Sequence, residues 1–183
     1  MDNRDDSFYP KRGMTLDAQA AFYHTDFHSD FSGFGAFRLM LSGAIDVSRR
    51  FTVLPSFYGR VLAGDCNNVP HRNYVGGSMP GRYMDHQLPF IGINHAVVVY
   101  NSALIGRVDL RERIGKKHYV TAMFNYMRTG HAFGDLFTDL GENMWGCGLQ
   151  YSYHTPVGPL SLDVHWSDYS HRVGAYLNFG YYF

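Results

Sequence analysis

From Val173 to Phe183 the chain alternates without interruption, with Val173, Ala175, Leu177, Phe179, Tyr181 and Phe183 on one parity and Gly174, Tyr176, Asn178, Gly180 and Tyr182 on the other. A period of two predicts a strand, because successive side chains leave an extended backbone on opposite faces. The rule repeats upstream. Leu160, Leu162, Val164 and Trp166 oppose Ser161, Asp163, His165 and Ser167, and Trp145, Cys147, Leu149, Tyr151 and Tyr153 oppose Gly146, Gly148, Gln150, Ser152 and His154. Val120, Ala122, Phe124 and Tyr126 oppose Thr121, Met123 and Asn125, and Leu104, Val108 and Leu110 oppose Arg107, Asp109 and Arg111. Further strands are predicted over 51–62, 34–46 and 14–24, eight in all. The charged row of Arg107, Asp109 and Arg111 needs water or counter-charges around it.

Turn residues alternate in spacing along the chain. Short turns fall at 47–50, 115–117 and 155–159, and longer connections at about 24–32, 63–101 and 129–143, with a brief last link at 169–172. Short and long links at opposite ends describe an up-and-down meander. Two architectures carry such a pattern. A soluble barrel turns its apolar face inward around a small ligand, whereas an outer-membrane barrel turns it to lipid and keeps a polar lumen. Tyr23, Phe51, Tyr119, Tyr126, Trp145, Tyr153, Trp166, Tyr181 and Phe183 lie near strand ends, where an interfacial girdle holds aromatic rings. The pattern favours the membrane barrel.

Composition narrows the partners. The 183 residues carry 16 Lys+Arg against 16 Asp+Glu without a basic block, which excludes nucleic acid as the main partner. No run approaches the ~18 apolar residues of a membrane helix, and 14 Phe with 14 Tyr speak against disorder. Cys66 and Cys147 are too few and too far apart in sequence to suggest a disulfide framework, and Cys147 sits among apolar positions as a small hydrophobe. Met1 to Asp6 is polar and charged, without the apolar stretch of a secretory signal. The expectation is a chain that stays inside the cell or lacks its natural beginning.

Several segments now carry a resemblance. Asn178-Phe179-Gly180-Tyr181-Tyr182-Phe183 resembles the C-terminal signal of bacterial outer-membrane barrels, which ends in an aromatic residue. Thr155-Pro156-Val157-Gly158-Pro159-Leu160 resembles the turn before the penultimate strand in the outer-membrane assembly-factor superfamily, also called the bacterial surface antigen family. Asp2-Asn3-Arg4-Asp5 through Pro10 and Gly13 is similar to that superfamily's D-x-R-D-x-x-x-x-P-x-x-G turn. In order, these motifs align essentially the whole chain with the last eight strands of a sixteen-stranded barrel. The resemblance implies an all-β fold, an antiparallel up-and-down meander of eight strands over 1–183, forming the C-terminal half of a transmembrane β-barrel. The strands at 14–24 and 173–183 would then be unpaired edges, completed by a missing N-terminal half.

The resemblance also assigns a role to the longest connection. In the assembly factors this loop folds into the lumen, with a Gly-Gly-Ser stretch before a Val-Arg-Gly-Phe tip whose Arg meets acidic residues on the next strands. Tyr74-Val75-Gly76-Gly77-Ser78 keeps the glycines, and Pro80-Gly81-Arg82-Tyr83 replaces the tip. Arg82 is the matching cation, with Asp109 at one acidic position and Asn125 at the other. Asn125 offers only hydrogen bonds, so the implied lock is weaker than the family pattern. Segments 51–60 and 85–92 look most like the barrel attached to patatin-like phospholipases of the Bacteroidetes type. The chain lacks a Gly-x-Ser-x-Gly elbow and any Asp-Gly pair, so it is not expected to be an enzyme.

Remaining polar residues add little chemistry. His24, Asp26 and His28 share a parity that could hold a divalent ion, although solvated loop histidines are the commoner outcome. Asp163 and His165 with Ser161 or Ser167 resemble part of a hydrolase constellation, but no oxyanion-hole motif accompanies them. No cofactor is expected. The implied function is an outer-membrane barrel segment of a Gram-negative bacterium that anchors or displays an attached patatin-like domain. An assembly or secretion factor barrel is the alternative, and a soluble small-ligand-binding barrel a second one. Implied partners are outer-membrane lipid, the barrel assembly machinery through Asn178, Gly180 and Phe183, and the N-terminal half of the barrel.

Overall fold

The computed structural model describes residues 1–27, 30–64, 71–79, 84 and 86–180, with backbone alone over 25–27 and 30–32. In chain order the strands are β1 (Gly13–Phe27), β2 (Asp30–Asp46), β3 (Phe51–Gly64), β4 (Asn73–Val75), β5 (Val97–Val99), β6 (Ser102–Ile114), β7 (His118–Gly130), β8 (Glu142–Thr155), β9 (Gly158–Ser167) and β10 (Gly174–Phe179). Eight of them form one antiparallel sheet in the order β1-β2-β3-β6-β7-β8-β9-β10, while β4 and β5 pair with each other. The predicted meander is therefore the observed one.

Three boundaries differ from the sequence reading. The first connection is not a loop over 24–32, because β1 and β2 continue pairing to Phe27 and Asp30. The stretch 63–101 is not only a connection, since it contains β4 and β5, three residues each and too short for alternation to reveal. Within the described residues the last strand ends at Phe179, one short of Gly180. Gly180 bends there with φ of 99°, a conformation open to glycine but strained for other residues, while its N–H donates to the Pro159 carbonyl at 3.1 Å. Residues 181–183, and with them Phe183, lie outside the described part.

Alternation decides the two faces. On β10, Leu177 and Phe179 are 70% and 61% exposed, whereas Asn178 between them is 2% exposed. On β9 the exposed residues are Leu160, Leu162 and Val164, and the buried ones Ser161, Asp163, His165 and Ser167. Phe22, Phe37, Phe57, Val108, Leu110, Phe124, Leu149 and Tyr151 extend the exposed apolar face across the sheet. A soluble sheet is arranged the other way round. Moving each large apolar side chain from water to hydrocarbon is favourable by about 1.5–3 kcal/mol, so this outer face suits lipid. The soluble ligand-binding barrel does not fit, because its ligand would meet the polar row and its apolar row would face water.

The inner face is covered by the chain itself. Val75, Leu88, Phe90 and Ile93 from the β3–β6 connection pack with Tyr58, Ala103, Ile105 and Met127 of the wall in one buried cluster. At the end with the short turns, Tyr9 stacks on Tyr119 at 3.9 Å, the Arg111 guanidinium lies 5.6 Å from the Tyr9 ring centre, and Arg111 donates to the Pro10 carbonyl. Among the described residues β10 pairs only with β9, while β1 pairs with β2 and is met on its other edge by residues 1–3, which hydrogen-bond along Met14–Leu16, so that the open edges are β10 and the part of β1 beyond Leu16.

Candidate functional site: a loop seated against the inner wall

The connection between β3 and β6 leaves the wall and returns across its inner face. It is knit before it is anchored. Leu88 N–H donates to the Tyr74 carbonyl at 2.9 Å, Gly76 N–H to Leu88 at 3.1 Å, Gly77 N–H to Ile93 at 3.0 Å, and Phe90 N–H to Gly77 at 3.0 Å. The Gln87 amide, fully buried, donates to the Gly76 carbonyl at 2.5 Å. Gly76 and Gly77 have φ of 141° and 72°, and a Cβ on Gly76 would lie 2.2 Å from the His95 carbonyl oxygen. The Gly-Gly pair is thus where the strands of the loop cross.

The seat is built from small and polar side chains. Asn125 on β7 accepts from Ile91 N–H at 2.7 Å and returns a weaker bond to the Ile91 carbonyl at 3.4 Å. Ser167 donates to the Gly92 carbonyl at 2.8 Å, and the Tyr176 hydroxyl donates to the Ile93 carbonyl at 3.0 Å. His165 sits between Asp163 at 3.0 Å and the Asn94 side-chain oxygen at 2.5 Å. Glycines let the backbone come this close. A Cβ at Gly146 would stand 2.0 Å from the Ile91 carbonyl oxygen, and one at Gly174 would stand 2.0 Å from the Asn94 side-chain oxygen. Residues 91–94 are consequently held by β7, β8, β9 and β10 together.

The other arm of the loop is held by arginines of the wall. Arg107 on β6 forms a two-pronged pair with Asp109, at 2.8 and 2.7 Å, and donates its remaining amino group to the Ser78 carbonyl at 2.9 Å. Both groups are largely buried, so the charge row noted in sequence finds its counter-charge within itself. Arg60 on β3 donates to the Asn73 side-chain oxygen at 2.9 Å and to the carbonyls of His71 and Arg72. Asn73 donates in turn to the Tyr100 carbonyl at 2.9 Å, closing the base of the β4–β5 hairpin. Burial also holds the His86 imidazole below its ordinary pKa.

The residues expected from sequence are distributed as follows. Arg82 lies outside the described residues, Asp109 is engaged by Arg107, and Asn125 contacts the loop through Ile91. Asn178 is buried on the inner face with its amide 3.5 Å from Asp163, and Gly180 forms the terminal bend. His24 lies on β1, the Asp26 side chain and His28 lie outside the described part, and among the described residues no group of three His, Cys, Asp or Glu could hold a metal ion. The Asp163–His165 pair faces Asn94 rather than a serine hydroxyl, so it positions a loop and has no nucleophile in line. Sequence reasoning missed Arg107, Asn94, Tyr176 and the glycines as seat residues. Gly146 and Gly148 on a polar parity were the available signal.

The site that results is a structural clamp: hydrogen bonds and one buried ion pair fastening a folded loop to the inner side of an apolar-faced wall. Compared with known proteins, the chain matches the model of the OMP85 superfamily over residues 1–183. No curated protein matches it.

Proposed function

Because this chain belongs to the OMP85 superfamily, we propose that it is the C-terminal half of a sixteen-stranded outer-membrane barrel of a Gram-negative bacterium, anchoring or displaying an attached patatin-like domain. The observation that carries the membrane part is the inverted wall, with Leu177 and Phe179 exposed beside a buried Asn178. The open edges of β10 and of β1 beyond Leu16 support completion by an N-terminal half, since open edges invite pairing. The likeness of segments 51–60 and 85–92 to patatin-linked barrels supports the attached domain, and the clamped loop suits an anchor whose lumen is filled. Arg82 would approach Asp109 as a second guanidinium, each carboxylate oxygen having a lone pair to spare beside Arg107. Asn178, Gly180 and Phe183 would present the last strand to the assembly machinery.

The second reading, a barrel that assembles or secretes other outer-membrane proteins, is favoured by the superfamily itself. The two are separated in cells producing the protein that carries this chain. An anchor predicts ester hydrolysis in the outer-membrane fraction that becomes soluble when β10 is deleted. An assembly factor predicts no such activity and falling levels of other barrels on depletion. Recovery in the soluble fraction without detergent would overturn both.

A further inference from the structure

The connection between β7 and β8 carries apolar residues that neither the wall nor the lumen loop uses. Within it, Gly134–Phe137 forms one 3-10 turn, begun by the Asp135 carboxylate accepting from Ala132 N–H at 2.9 Å. Leu136 is buried beneath the turn, whereas Phe133, Phe137 and Leu140 are 53%, 68% and 75% exposed. The rings of Phe133 and Phe137 meet edge to face at 5.4 Å, forming one patch.

The wall shows on which side this patch hangs. The outward row of β7 runs Ala122, Phe124, Tyr126, Arg128 and Gly130, opposite in parity to the buried Thr121, Met123, Asn125, Met127 and Thr129. Arg128, on that outward row, donates to the Thr138 carbonyl. A Cβ on Gly130 would lie 2.7 Å from the Asp135 Cβ, and one on Gly141 2.9 Å from the Arg128 guanidine nitrogen. The turn therefore folds back over the outward side of the strand ends. Directly below on that side are Tyr126 and its cross-strand partner Trp145, both exposed, with Trp145 meeting Trp166 at 5.1 Å. The patch continues the outer apolar face one step past its aromatic level.

We propose that the β7–β8 connection is an interfacial anchor, with Phe133, Phe137 and Leu140 seated in the acyl–headgroup boundary of the lipid around the wall. Continuity with the lipid-facing row identifies the occupant, and the ring-rich composition suits that depth. The inference rests on the membrane reading above. In protein lacking Cys66 and Cys147 and folded into phosphatidylcholine vesicles, an environment-sensitive dye is attached at Phe137→Cys or Leu140→Cys, and for reference at Leu149→Cys or Lys116→Cys. Nitroxide-bearing lipids quench the dye according to depth. The expected result is at least about twofold stronger quenching at 137 and 140 than at 116 by a nitroxide near the headgroup, with 149 quenched best by one deep in the acyl chain. Quenching at 149 with 137 and 140 behaving like 116 would overturn the anchor and leave the membrane reading intact. Dyes at 137 and 140 that are shielded from aqueous iodide yet unquenched by lipid nitroxide would place a protein, such as a second copy, on the patch and overturn the lipid assignment. No quenching at 149 would remove the membrane reading and the anchor with it.

Discussion

Asp17 on β1 and Asp163 on β9 occupy the same kind of position, an inward parity one strand in from or at a sheet edge, and their fates are opposite. Asp17 remains about half exposed and pairs with Arg38 at 2.9 Å, whereas Asp163 is fully buried between His165 and Asn178. Alternation treats the two alike. What separates them is the loop, whose residues 91–94 cross β7 to β10 and leave β1 uncovered. Sequence period thus sets which face a side chain takes, and tertiary cover sets how much energy depends on it. The same substitution should cost several kcal/mol under the loop and almost nothing beside it.

The largest effect is expected at the ion pair beneath the loop's first arm. Asp109→Ala leaves the Arg107 guanidinium buried with the Ser78 carbonyl and the Met123 sulfur as its remaining partners. Stranding a buried charge costs about 3–5 kcal/mol, a loss to be read as a lower urea midpoint of the folded protein in detergent. The Arg107→Met, Asp109→Leu double variant should lose less than Asp109→Ala alone, because no charge is left unpaired. Equal losses would mean that the loop does not seal this part of the wall.

Next comes the backbone approach at Ile91. Gly146→Ala places a Cβ 2.0 Å from a carbonyl oxygen that cannot move without releasing the seat, and overpacking of this kind costs about 1–3 kcal/mol. Gly106→Ala, at an outward position of β6 with nothing within 4 Å, should change stability by less than about 0.5 kcal/mol. Limited proteolysis supplies a second reading, since only the Gly146 variant should expose the 86–95 segment. Asn125→Leu removes the acceptor for Ile91 N–H and should cost about 1–2 kcal/mol. Combined with Gly146→Ala it should add little, because both act on the same residue of the loop. Full additivity would show that the two sites do not share a seat.

Much of the wall was legible because its period is two and its faces differ. Ser161, Asp163, His165 and Ser167 alternate with Leu160, Leu162 and Val164, and the structure places each row as the alternation requires. The loop was less legible. Its hairpin strands are three residues each, and its contacts with Asn94, Tyr176 and Gly174 join positions about eighty residues apart, which no local pattern encodes. Arg107 and Asp109 were visible as a charged row, yet only the folded chain reveals that each is the other's partner. The inward parity of Ile105 and Met127 was hidden for a different reason: apolar residues on a polar row look like exceptions until the apolar loop that covers them is known.

The smallest predicted effect tests the comparison from its other side. Asp17→Ala removes one partner of Arg38, and of the two it is the Asp17 carboxylate, about half exposed, that water already reaches. An ion pair with one partner half in solvent contributes about 0–1 kcal/mol, and it is weakened further by salt. The urea midpoint should therefore shift by no more than about one fifth of that for Asp109→Ala, and the small shift should shrink as ionic strength rises. A salt-independent loss comparable to that of Asp109→Ala would mean that Asp17 is covered in the assembled protein. The cover would then come from a segment that packs beside the edge of β1 beyond Leu16, which no strand pairs among the described residues.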